Sequence, residues 1–218
     1  MKLLSVNLAR AIWIFNINEL NPHGKYAGLI NGLVDRYGFT KWPTTPEEMD
    51  EAKGLKFING KFTLPSGESI IINFTMFNWG LVVDSRSSTQ SSEACIKDGL
   101  DWTVREFGYA DYNDIIRSKS YQSEVHVHTA KTFDSLSQKL QLFAEKLSLL
   151  VKGHGSLSYK TAGITFSNDP GPNNISPFQF RFERVDSTQF NENRYYSVAP
   201  LETDVHLEML DELESILL

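Results

Sequence analysis

The sequence predicts an α+β fold: a mixed or mainly antiparallel sheet covered by three to four amphipathic helices. Three observations lead there. Residues 55–85 read as a four-strand meander, and apolar residues recur at helical spacing in several later segments. The chain is also 218 residues long, with 41% hydrophobic and 22% charged residues, enough to bury a core.

The meander is the scaffold. Leu55–Ile58 and Lys61–Leu64 flank Asn59-Gly60, a two-residue hairpin signal because both positions tolerate positive φ. Pro65-Ser66-Gly67 turns the chain into Ile70–Phe77, and Asn78-Trp79-Gly80 turns it back into Leu81–Asp84. In the third strand Ile70, Ile72, Phe74 and Met76 share one face, while Ile71, Asn73, Thr75 and Phe77 share the other. One face suits a core, and the other is mixed.

The remaining elements follow in chain order. Leu3 to Ile17 reads as a strand that becomes apolar on both faces at Ala11–Phe15. Asn21-Pro22 opens a helix with Tyr26, Leu29, Ile30, Leu33, Val34 and Tyr37 on its stripe, and Gly38 stops it. Gly24, Gly28 and Gly32 recur every fourth residue; close packing inside the chain is the ordinary explanation, a partner's backbone the other. Lys41 to Lys53 reads as a loop and a short exposed acidic helix. A helix over about 92–107 carries Ile96, Leu100, Val104 and Phe107, widened by Cys95 and Trp102, and closes at Gly108.

Tyr109 to Lys119 reads as a connection with at most a short helix. It is the one soft subdivision, near 109–120, in what is otherwise a single domain over 1–218. Tyr121 to Thr129 is a strand. Phe133, Leu136, Leu140, Phe143, Leu147 and Leu150 then repeat at intervals of three and four, predicting a core helix against the sheet. Tyr159–Ser167 and Phe178–Val185 read as strands around a Pro- and Gly-rich loop, 168–174. Asp186–Pro200 reads as loop with a short extended piece at Arg194–Val198. The last helix runs from Thr203 to Leu217, with Met209, Leu210, Leu213, Ile216 and Leu217 on its apolar side. Each half holds strands, a polar stretch and a closing helix, but the residues match too poorly to indicate duplication.

Charge and motif content narrow the function. After Arg194 there is no Lys or Arg but six acids, so the net charge of −6 sits wholly in that segment. A balanced body with an acidic end argues against general nucleic-acid binding. One cysteine, Cys95, excludes an internal disulfide framework and fits a reducing, cytoplasmic setting. No stretch is apolar for long enough to span a membrane as a helix. Phosphate-loop and dinucleotide glycine motifs and the G-x-S-x-G elbow are absent. Cys95 falls on the apolar side of its helix, where thiols are inert.

Four sets of residues carry chemistry. Glu208, Asp211, Glu212 and Glu214 crowd the last helix with no cation of its own, and acids in the final turns oppose the helix dipole. They are the candidate partner-binding residues, for a protein with a basic surface; a solvated acidic face is the ordinary alternative. Arg86, Ser87 and Ser88 sit between a strand end and a helix start, where backbone N–H groups bind anions, or where a serine simply caps the helix. Glu124, His126 and His128 alternate with Val125 and Val127, so strand geometry puts one carboxylate and two imidazoles on one face. A divalent metal such as zinc would need a third donor, and His154 and His206 are the isolated histidines downstream. Arg181, Glu183 and Arg184 with alternating Phe180 and Phe182 suggest base stacking beside cations, but a half-buried strand explains the same alternation better.

The expectation is a non-catalytic protein-interaction or assembly module with an acidic docking helix and no cofactor. Homo-oligomerisation stays open. The alternative is a metal-dependent hydrolase using Glu124, His126 and His128.

Overall fold

A computed structural model of the chain describes residues 1–20, 28–132, 136–151, 158–168, 178–186 and 188–217. In chain order the elements are β1 (Lys2–Ile14), α1 (Ile17–Leu20), α2 (Leu29–Tyr37), β2 (Leu55–Thr63), β3 (Ser69–Phe77), β4 (Gly80–Ser85), α3 (Thr89–Phe107) and β5 (Ser118–His128). They continue with α4 (Gln138–Leu150), β6 (Gly163–Phe166), β7 (Phe180–Arg184), β8 (Arg194–Ala199) and α5 (Thr203–Ile216). The protein is α+β, with eight antiparallel strands and five α-helices among the described residues, where three to four helices were expected. Contacts cluster into two units. One is Val6–Ser123 with Leu201–Thr203; the other is Met1–Ser5, Glu124–Pro200 and Asp204–Leu218.

In the first unit the strands run β2-β3-β4-β1-β5. Asn59-Gly60 does not make a hairpin. Phe57 pairs with Phe74 and Gly60 with Ile72, so β2 is one strand with a bulge and the meander has three strands, not four. A two-residue hairpin of type I′ needs positive φ at both positions. Asn59 has φ +55, but Gly60 does not enter that region. The Asn59 N–H instead donates to Asn73 Oδ1 at 2.9 Å, which holds the bulge against β3. At Gly60 an added Cβ would lie 2.4 Å from the Phe39 ring, so the missing side chain is what seats Phe39 in the core.

The buried face of this sheet carries Trp13, Phe57, Ile72, Phe74, Met76 and Val83. Helix α2 covers it with Leu29, Leu33 and Tyr37, and α3 with Cys95, Ile96 and Leu100. Gly32 faces the Trp102 ring, where a Cβ would sit 2.7 Å away, so close packing inside the chain accounts for this glycine. Gly24, Tyr26 and the Asn21-Pro22 helix start lie outside the described residues. β1 ends at Ile14, three residues before the expected end, and Ile17 and Leu20 are buried from a short helix instead. Lys41–Lys53 forms turns rather than a helix. A segment this short has no helical stability of its own, and it lacks an apolar stripe to bury.

In the second unit the strands run β5-β8-β7-β6. β8 covers the short extended piece expected at Arg194–Val198 and runs one residue further, with Arg181 opposite Val198 and Glu183 opposite Tyr196. Val125, Val127, Phe182, Tyr195, Val198, Leu210 and Leu217 are buried, and Phe182 stacks on Tyr195 at 4.7 Å. Helix α4 departs most from expectation. It is a helix, capped by Ser137, but none of its residues is buried. Periodicity reports that an apolar face exists, not that the same chain covers it. Phe133, the first residue of the expected repeat, and the loop 169–174 lie outside the described residues.

Both halves end in three strands and a closing helix; before these the first half has a strand and two helices, α1 and α2, and the second a strand and one helix, α4. The closing helices α3 and α5 both begin at a threonine, Thr89 and Thr203.

Candidate docking surface

Helix α5 is held by the residues that face inward. His206, Leu210 and Leu217 are fully buried, at spacings that keep them on one side of the helix. The opposite side therefore carries the carboxylates. The structure divides the four acids into two pairs. Asp211 accepts a hydrogen bond from the α-amino group of Met1, and Glu214 lies 2.6 Å from the same nitrogen. Glu214 also accepts from the Thr129 hydroxyl and, at 3.2 Å, from the Ala130 N–H. Burial would raise the Glu214 carboxyl, but these donors outweigh it and hold it below the ordinary value. Asp211 and Glu214 thus bond to groups of their own unit that lie outside the helix, which carries no Lys or Arg itself.

Glu208 and Glu212 are exposed. Beside them lies an apolar ridge the sequence reading had assigned partly to the core. Val205, Met209 and Ile216 are 41%, 42% and 63% exposed. With Glu212 they fall at i, i+4, i+7 and i+11, a single line along the helix. Sequence periodicity placed Met209 and Ile216 with Leu210 and Leu217; a one-residue offset in helical phase separates the two pairs.

The other sequence-derived sites read differently. Ser88 is a helix cap: its hydroxyl accepts the Ser91 N–H at 3.1 Å. Ser87 Oγ lies 3.3 Å from Ser91 Oγ. Arg86 and Ser87 line a groove of about 650 Å³ in the first unit, with Asn7, Asn73, Asp84 and Glu68. Asp84 is held by a bidentate bond from Arg10, at 2.6 and 2.8 Å. The carboxylate of Glu68 opposes any preference for anions that Arg86 gives the groove.

Glu124, His126 and His128 do share a face of β5, with Val125 and Val127 fully buried behind them. Glu124 accepts the Tyr196 hydroxyl at 2.5 Å, and the His126 ring packs edge-on against the same tyrosine at 5.4 Å. His126 Nδ1 is also 3.5 Å from Ser5 Oγ. Among the described residues no three His, Cys, Asp or Glu side chains converge as a metal site would require. Of the downstream histidines, His154 lies outside the described residues and His206 points into the core.

His206 forms a pair that the sequence did not suggest. Its Nε2 lies 2.9 Å from Ser197 Oγ, and both residues are fully buried. The Ser197 hydroxyl donates to the Arg181 carbonyl at 2.9 Å, which uses its one proton, so the imidazole is the donor to Ser197. A serine whose proton points at a backbone carbonyl is not activated for attack. The pair is a satisfied core contact. Its only trace in the sequence is the helical phase that puts His206 with Leu210 and Leu217. Cys95 is likewise buried, and burial pushes its thiol up, away from the reactive thiolate. Phe182 and Arg184 are accounted for by packing, with the guanidinium 3.8 Å from the centre of the Phe190 ring.

No protein-family model matches the chain, and a search of curated proteins finds no match. Function therefore has to be read from the surfaces themselves. Among the described residues no helix is long and apolar enough to cross a membrane.

Proposed function

We propose that the chain is a non-catalytic protein-interaction module that docks a partner through the exposed face of α5. One observation supports this reading above the others: Val205, Met209 and Ile216 form an exposed apolar line bordered by Glu208 and Glu212. Apolar anchors beside charges are the composition of a protein interface, where the apolar groups give affinity and the charges give orientation. The partner that fits is a protein surface that carries cations beside apolar side chains. The single buried cysteine suits a cytoplasmic setting as part of the same reading. Among the described residues the metal-hydrolase alternative gains no third donor, and it is not carried further.

The test is partner capture with Glu208→Lys/Glu212→Lys and, separately, Met209→Asp. Both variants are expected to keep the wild-type circular dichroism spectrum and to lose capture. Capture at the wild-type level by folded variants would remove α5 as the docking surface.

A further inference from the structure

Helix α4 leaves Leu140, Leu142, Phe143, Leu149 and Leu150 exposed, from 49% to 73%. A helix of 13 residues has little stability of its own in water, and four of these side chains, Leu142, Phe143, Leu149 and Leu150, share one surface and mark a binding face. Lys139, Phe143, Lys146 and Leu150 fall at i, i+4, i+7 and i+11. The two lysines run down the middle of the exposed face, with Phe143 and Leu150 on one side and Leu142 and Leu149 on the other.

Helix α5 presents the matching pattern. Val205, Met209, Glu212 and Ile216 have the same spacing, with Glu208 alongside. Lys139, Lys146, Glu208 and Glu212 form no ion pair with one another or with other described residues. Pairing α4 with another α4 would set lysine against lysine inside an apolar contact. Pairing α5 with α5 would do the same with glutamates. Both self-pairings are repulsive, whereas α4 against α5 joins opposite charges across an apolar seam. The complement to each face is thus carried by the chain itself.

We propose that the occupant is a second copy of this chain, α4 of each protomer docking on α5 of the other in a two-fold dimer. This rests on the reading of α5 as a docking surface and names its partner. A two-fold axis repeats the contact, so each dimer holds two α4–α5 seams.

Sedimentation velocity over a concentration series tests it. The wild type is expected to dimerise, and Lys139→Glu/Lys146→Glu and Glu208→Lys/Glu212→Lys are each expected to weaken dimerisation at least about tenfold. A 1:1 mixture of the two variants is expected to restore the dimer, because both mixed seams again join opposite charges. Should a double variant fail to fold, Lys146→Glu and Glu212→Lys are mixed in the same way. A wild type that stays monomeric, variants that dimerise as well as wild type, or a mixture that stays monomeric would each overturn the proposal. A monomer whose α5 variants still lose a different captured protein would overturn the dimer and leave the α5 reading standing. A monomer that instead binds anionic phospholipid vesicles through α4 would also overturn it, by giving α4 another occupant.

Discussion

Thr89 and Thr203 cap each other. The Thr89 N–H donates to the Thr203 hydroxyl at 3.0 Å, and the Thr203 N–H donates to the Thr89 hydroxyl at 2.9 Å. The two residues are 114 positions apart in the chain, and both are buried. Each starts a helix, where backbone N–H groups have no partner within the helix. Two such donors are satisfied at once, with no water needed in the core.

Thr203→Val keeps the shape and removes the hydroxyl, leaving the buried Thr89 N–H without its acceptor. The variant is expected to lose about 1–2 kcal/mol of stability in urea unfolding, and Thr203→Ser to lose much less. The double variant Thr89→Val/Thr203→Val is expected to cost less than the sum of the single changes, because losing one bond loosens the geometry that holds the other. Strict additivity would show that the two bonds act independently.

The bulge at Asn59-Gly60 gives a second expectation. Gly60→Ala puts a methyl group into the Phe39 ring, which is 3% exposed and has no room to retreat. A loss of about 1–3 kcal/mol is expected, measured by thermal or urea unfolding. Asn59→Gly is expected to be nearly neutral, because glycine accepts the positive φ at that position. Neutral behaviour of Gly60→Ala would mean that Phe39 is not packed as described.

His206 makes the stability pH-dependent. Burial pushes its imidazole down to about 4, whereas an unfolded chain holds histidine near 6.5. Between these values the unfolded state binds the extra proton, so acid favours unfolding. The contribution is fully present above about pH 6.5 and is lost progressively as the pH falls to about 4, by up to about 3 kcal/mol. Glu214, with its carboxyl held low, adds its own loss only as the pH falls below its unfolded value of 4.5. His206→Gln is therefore expected to flatten stability between pH 6.5 and 5 in urea titrations. An unchanged slope in that window would assign the effect to another group.

Element type was legible in the sequence wherever the decisive interactions are local. The strands β3 and β4, the helices α2 and α3 and their stops at Gly38 and Gly108 follow from alternation, helical phase and glycine's tolerance of positive φ. The acids of the last helix and the shared face of Glu124, His126 and His128 were equally visible, because spacing alone fixes which side chains are neighbours. Distant contacts were not. A type I′ hairpin and a bulge both accept Asn-Gly, and Phe39 with Asn73 chose between them. Likewise α4 and α5 both show apolar stripes in sequence, but only the fold decided that Leu210 is covered and Phe143 is not. Periodicity is a property of one helix, whereas burial depends on what the rest of the chain brings against it.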